Sequence, residues 1–368
     1  MRWIAALAAL AFAAPAVAAT PPPLEGVWRG TVGKEPVMVC LVDETYAPER
    51  GAYYYLSHQE SIPLWLQDDR FTWKEDAPGD DNAGFTFQRT GRDKLTGTWS
   101  NGSKRLPVAL TRVPYRPHDD VSACEERAFL EPRIVAPRLT EKPVKGEGFA
   151  GTLLTLDVGQ GFRDVEISSF NIPDSEPGDE AINAALRKSL DPTDGNNDYI
   201  GCYSAALGSI GMDGVFGVSA LPGLMTRDWL SVEQSEYTSC GGAHPNFGVS
   251  YRLFDRQSGG EVELARWLAP EGMVVQGPDE TGWTDRQLTA PLKQIVLAKL
   301  PPDMDEDCRS AIAESDYWKA ALTKVGIGFD PVLPHVATGC TGLIEVPWPE
   351  LAPFLSAEGK AGMARMTP

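Results

Sequence analysis

Four histidines, His58, His118, His244 and His335, and six cysteines, Cys40, Cys124, Cys202, Cys240, Cys308 and Cys340, have the widest chemical repertoire in this 368-residue chain. A zinc site built on imidazole needs at least two histidines to meet a thiolate or carboxylate. These four stand far apart in sequence, although His244 and His335 flank elements of one region and can approach each other. The bland reading of His244 is a loop imidazole bonded to backbone groups in a glycine-rich turn, and the sharper one is ligand contact. The cysteines occur singly, with no C-x-x-C pair. In an oxidising compartment an even, dispersed set is a disulfide framework, not a metal or redox centre. Six cysteines allow fifteen connectivities. Sequential pairing, Cys40 to Cys124, Cys202 to Cys240 and Cys308 to Cys340, keeps each bridge near or within one domain and is the expected set.

The familiar catalytic constellations are missing: there is no G-x-S-x-G, H-E-x-x-H or G-x-x-x-x-G-K-[ST], and no G-x-G-x-x-G between a strand and a helix. The run D-P-T-D-G-N-N-D, residues 191–198, invites a calcium reading. Its spacing fails, because Leu190 would fall on the first ligand position; a polar loop ending a helix is the simpler reading. D-M-D-E-D at 303–307 reads as an acidic helix start that complements the helix dipole. Glu233 and Glu236 are a poor glycosidase pair, since strand positions of opposite parity point to opposite faces. No catalytic residue, cofactor or metal is therefore assigned, and the chain leans away from being an enzyme.

The elements around these residues are organised on the segment from Trp229 to Trp267. Leu230, Val232 and Gln234 alternate with Ser231, Glu233 and Ser235, which is the period of a half-buried strand. Gly241, Gly242, Pro245 and Asn246 break it, Val249, Tyr251 and Leu253 resume it, and Gln257 to Gly260 turn the chain into a third short run, Val262 to Leu264. The elaborate loop of this meander carries Cys240 and His244. A strand over Tyr199 to Leu207 would bring Cys202 to the loop's base. A helix spans Gly178 to Leu190, ended by Pro192 and Gly195. Others begin near Thr284 or Asp285, carrying Leu288, Leu292 and Ile295, and run from Asp307 to Val325, carrying Ile312, Trp318 and Leu322. Helices packed on an antiparallel sheet make this an α+β domain.

The motif Y-T-x-x-G-G-A-H-P-N, followed by D-R-Q-S-G-G-E-V-E-L, resembles the signature of an extracellular domain family of unknown function. That family includes the outer part of RsiV-type anti-sigma factors and a module found with PdaC-type peptidoglycan deacetylases. E-I-S-S-F-N-I-P, A-I-N-A-A-L-R-K, G-I-G-F-D-P and I-E-V-P-W-P-E-L-A-P-F-L resemble its opening and closing elements, so the likeness spans residues 146–358. The resemblance implies an envelope binding module that recognises a basic lysozyme-like muramidase or a cell-wall component. The candidate partner-binding residues are Tyr237, Gly241, Gly242, His244, Pro245 and Asn246. The deacetylase-associated relatives imply the alternative of a peptidoglycan-modifying enzyme or its accessory domain.

Residues 24–112 read differently. Short strands with glycine at their ends follow one another without helical period, which predicts an all-β meander closed or nearly closed into a barrel. Its G-x-W-x-G and L-x-G-x-W strands are similar to those of lipocalin-like barrels. Trp28, Tyr54, Trp65, Trp73 and Trp99 either line a small-ligand pocket, the third functional reading, or pack a core. Residues 113–145 form a proline-rich linker with a short helix near Cys124, capped by Asp120 or Ser122, and residues 359–368 read as a flexible tail. Residues 1–19 have the form of a signal peptide: Arg2, an apolar run too short to span a bilayer, then small residues. A periplasmic or secreted protein with no membrane span after processing is expected. Of the 51 acidic residues, 32 lie between Val144 and Pro368 against 16 basic ones. Such a field repels nucleic acid and favours cationic partners.

Overall fold

The computed structural model describes residues 24–42, 50–67, 69, 71–76, 83–116, 121–146, 149–191, 197–278 and 284–366. The segment read as a signal peptide, His118, Asp120 and most of the polar loop at 191–198 lie outside the described residues.

Eight antiparallel strands form the N-terminal domain: β1 (Gly26–Val32), β2 (Glu35–Leu41), β3 (Arg50–Tyr55), β4 (Ile62–Leu66), β5 (Thr72–Glu75), β6 (Gly84–Gly91), β7 (Lys94–Ser100) and β8 (Arg105–Arg112). Each pairs with its neighbour, and β1 pairs with β8, which closes the barrel. Trp28, Val37, Val39, Tyr53, Trp73, Phe85 and Leu95 fill the interior, so the barrel has a side-chain core. Of the five aromatics considered for a pocket, Trp28 and Trp73 are core residues. Tyr54 faces the second domain, and Trp65 bonds Asp76 on the exterior. Trp99 donates to Glu75.

The outer wall of β1 to β3 is apolar too. Val27, Met38, Cys40, Ala52 and Tyr54 pack with Phe129 and Leu130 of the connecting segment and with Leu154, Phe162, Ile167, Tyr203 and Phe216 of the second domain. Strands buried on both faces read as continuous apolar runs, which is why V-M-V-C-L-V and G-A-Y-Y-Y-L show little alternation. The connecting segment is thus more than a spacer. It holds α1 (Arg127–Leu130) and a 3-10 turn over Glu131–Arg133, is bonded through Cys124 to Cys40, and ends in strand β9 (Arg138–Gly146) of the next sheet. Ser122 does not cap the helix, which starts at Arg127 after Glu126.

The second domain is built on a seven-stranded sheet in the order β15-β14-β13-β12-β11-β10-β9, with β10 (Phe149–Asp157), β11 (Val165–Asn171), β12 (Val215–Met225), β13 (Trp229–Ser239), β14 (Asn246–Asp255) and β15 (Glu261–Val262). All pairs are antiparallel except β11 and β12. A parallel pair needs a crossover, and it contains α2 (Asp179–Lys188) and α3 (Tyr199–Ile210). Helix α3 corrects the expected strand at Tyr199 to Leu207. Asp198 caps it by accepting from the Gly201 N–H, Gly211 ends it at φ 68°, and Tyr199, Cys202, Tyr203, Ala206 and Leu207 are its buried stripe. That spacing is helical.

Beyond the sheet, β16 (Met273–Gln276) pairs with β17 (Asp285–Leu288), so the helix expected near Thr284 starts later, as α4 (Ala290–Leu297) with Pro291 in its first turn. The helix expected from Asp307 to Val325 stops early: α5 (Glu306–Glu314), capped by Asp305, gives way to strand β18 (Trp318–Leu322). With β19 (Gly326–Pro331) and β20 (Ile344–Pro347) this strand forms a three-stranded sheet. α6 (Trp348–Leu351) follows, and α7 (Ala357–Ala364) occupies the stretch read as a tail. Gly359 and Gly362 of α7 lie flat against Trp267, where any Cβ would collide with it. Small residues provide this close approach, so burial holds a helix that composition alone does not favour. No helix among the described residues is long and apolar enough to cross a membrane.

Candidate functional site

Strands β13 and β14 form a long hairpin in which Tyr237 pairs with Phe247 and Thr238 with Asn246. Its loop is tied down from two sides. The Cys240 to Cys202 disulfide fixes it to α3. Gly241, at φ +87°, lies so close to Ala206 and Ser209 of that helix that a Cβ there would collide. Glycine supplies both the left-handed backbone and the close approach. On the other side, a 3-10 segment over His335–Cys340 is bonded through Cys340 to Cys308 of α5.

His335 lies against His244, with ring centroids 3.6 Å apart and planes inclined by 32°. The Pro245 carbonyl lies 2.7 Å from Nε2 of His335 and 3.2 Å from Nδ1 of His244. A carbonyl oxygen only accepts, so both nitrogens donate. The two histidines that sequence placed in one region therefore meet, as a stacked pair sharing one acceptor. No group of three or more histidine, cysteine or acidic side chains suited to hold a metal occurs among the described residues.

Gly242, His244, Pro245 and Asn246 are exposed, Gly241 is half-buried, and Tyr237 and Phe247 retain 43% and 48% of their surface. The cross-strand aromatic pair, the stacked imidazoles and Val336, 93% exposed, form an aromatic and apolar rim around the loop. Phe247 and Val336 were not singled out from the sequence. The signal for Phe247 was present, because the hairpin register puts it on the same face as Tyr237, Val249 and Tyr251.

Lower on this face the large sheet meets the three-stranded one. Tyr251 of β14 donates to Oδ2 of Asp330 at 3.3 Å, and the Gly342 N–H donates to Oδ1 at 3.0 Å. Asp330 retains only 2% of its surface, and Lys319 stands opposite it on β18. Burial pushes the Asp330 carboxyl above the ordinary carboxylate range, despite the opposing charge of Lys319 and the two hydrogen bonds. Burial also raises the Tyr251 hydroxyl, helped by the charges of Asp330 and Glu233. A carboxyl raised in the folded state favours folding when protonated, so its contribution declines as pH rises from the unfolded value through the folded one. Asp330→Asn is thus expected to raise the melting temperature at pH 7, with the gain shrinking as pH falls through the raised folded value and gone below about pH 4, the unfolded carboxylate value. Its amide keeps both partners, accepting from Gly342 and donating to the tyrosine oxygen. Calorimetry at the two pH values checks this; a lower melting temperature at pH 7 would refute it.

No protein-family model matches the chain, and no curated protein matches it significantly. Among solved structures it is similar to a DUF3298 family protein from Pseudomonas aeruginosa PAO1, at 16% identity and a TM-score of 0.33, covering 60% of this chain and 94% of that one. It is also similar to a member of the DUF3298 family from Bacteroides fragilis NCTC 9343, at 13% identity and a TM-score of 0.36, covering 63% and 98%. Likeness at these values carries no statement about activity.

Proposed function

We propose that this protein is a non-catalytic binding protein of the bacterial envelope, periplasmic or secreted, that captures a basic lysozyme-like muramidase through the rim around residues 237–247. The observation that supports the reading most directly is the rim itself. Tyr237, Phe247 and His244 are exposed on a hairpin loop anchored by the Cys202 to Cys240 disulfide, and His335 is exposed beside them on a segment anchored by the Cys308 to Cys340 disulfide. Exposed aromatics on a preorganised surface are the usual anchors of protein interfaces. The excess of acidic over basic residues in the same domain favours a cationic partner by electrostatic steering. Three disulfides fit an oxidising compartment. The small-ligand carrier reading loses ground because the barrel interior is packed with side chains.

The test is biosensor binding of the purified protein to a catalytically inactivated basic lysozyme at low and high salt. A complex that weakens with salt is expected. Tyr237→Ala with Phe247→Ala should weaken it by about 2 kcal/mol or more, the size of an interface hot spot. His244→Ala with Asn246→Ala should weaken it by a smaller margin. No complex at either salt, or one indifferent to both double variants, would sink the proposal.

A further inference from the structure

Below the rim, the two sheets of the second domain diverge from Tyr251 and enclose a cleft of 960 Å³, a volume in the range of small-molecule sites. Ser231, Glu233 and Tyr251 line the wall formed by the large sheet, and Ala321, Thr323 and Glu345 the wall formed by the small one. The register explains the second wall. Ala321, Gly328 and Glu345 form one cross-strand row, and side chains in such a row share a face. Asp330 is two residues along from Gly328 and lies on that same face, behind Tyr251. Leu224 and Leu343 add apolar surface.

The charges in this cleft are not equivalent. Glu233 and Glu345 approach it from strands of different sheets. Of the cations, Arg256 is already held by Asp179, while Arg227 and Lys324 are exposed residues at turns. The cleft therefore offers a half-buried carboxylate, Glu233, on one wall, an exposed one, Glu345, at the edge of the other, and the Tyr251 ring with aliphatic contacts. That combination suits a cation on an aliphatic stem, which gains charge-assisted hydrogen bonds at its head and ring and methylene contacts along its length. We propose that the cleft binds a guanidinium or primary ammonium head between Glu233 and Glu345, with its stem over Tyr251 and Leu343. This goes beyond the partner-binding rim and uses different residues.

The head can be borne by a lysine or arginine of a peptide or by a free diamine, and two probes separate these sources. The full chain, with its disulfides intact, is titrated with Nα-acetyl-arginine amide and with agmatine, followed by calorimetry. Saturable binding of at least one probe is expected, weakened about tenfold by Glu233→Gln and by Glu345→Gln, the loss of one charge-assisted hydrogen bond. Glu236→Gln, on the opposite face, and Tyr237→Ala, on the rim, should leave it unchanged, so failure here and failure of the rim proposal are separately visible. Binding of the arginine probe alone makes the ligand peptide-borne, and binding of agmatine alone makes it a free amine; either upholds the proposal. Glu345 is exposed on an edge strand, so its variant carries the test if Glu233→Gln fails to fold. The proposal is overturned if neither probe saturates, if Glu345→Gln binds as tightly as the wild type, or if Nα-acetyl-glutamate amide binds equally well.

Discussion

Arg133→Ala is expected to destabilise the protein by about 3–5 kcal/mol, the cost of leaving one partner of a buried ion pair uncompensated. Arg133 has no exposed surface. Its Nη1 donates to Oδ1 of Asp213 at 2.7 Å, its Nη2 donates to Ser61 Oγ, and its guanidinium lies 4.0 Å over the Tyr54 ring. Asp213 in turn accepts from the Ser61 N–H at 3.1 Å. These residues come from three places: Tyr54 and Ser61 from the barrel, Arg133 from the connecting turn and Asp213 from the second domain. The pair therefore fixes how the domains dock, beside the Cys40 to Cys124 bridge. Asp213→Ala should cost a similar amount. The double variant Arg133→Met with Asp213→Leu should cost well under the sum, because no buried charge is left alone. Urea denaturation of the four proteins compares these costs. Single variants within about 1 kcal/mol of wild type would show that the pair is solvated in solution.

This junction shows where sequence reading stops. The barrel strands were legible because their turns and period are local, and the disulfide partners because few pairings keep each bridge within a domain. Arg133 gave no local sign of its role, since its three partners lie 72 to 80 residues away. Helix α3 was hidden for another reason. Its glycines, Gly201 and Gly208, and its β-compatible aromatics lower helical propensity, and tertiary burial of one stripe overrides that. The opposite error occurred at β18, where Ile312, Trp318 and Leu322 mimic a helical spacing although the last two, four residues apart, share one face of a strand. At the candidate site, His244 and its loop stood out by composition, and the contact with His335 followed from their flanking elements. The Tyr251 and Asp330 contact did not, because it joins two sheets. Its one sequence trace is an aspartate inside G-I-G-F-D-P, a strand buried along its whole length.

Asp179→Asn is expected to cost about 3–5 kcal/mol at neutral pH, again by stranding a buried charge. Asp179 is fully buried and Arg256 nearly so. Arg256 grips both carboxylate oxygens, Nε to Oδ1 at 2.9 Å and Nη2 to Oδ2 at 2.7 Å, while the backbone N–H groups of Ser175 and Glu176 donate to Oδ2. Arg256 also donates to the Thr226 carbonyl and to Ser175 Oγ. One ion pair thus joins the first turn of α2, the β12 to β13 turn and the end of β14, the strand that carries Phe247 and Tyr251. Burial alone would raise the Asp179 carboxyl; the Arg256 and backbone hydrogen bonds outweigh it and hold the group below the ordinary range. A carboxyl lowered in the folded state contributes stability that is fully present above its unfolded value, about 3.9, and is lost as pH falls through the folded one. The gap between wild type and Asp179→Asn should therefore be widest at pH 7 and narrow steadily below about pH 4. Arg256→Lys keeps the charge but loses the two-pronged grip, so it should fall between wild type and Arg256→Met. Denaturation midpoints from pH 7 to pH 3 decide the matter: a gap independent of pH would mean that packing, not the carboxylate charge, holds this joint.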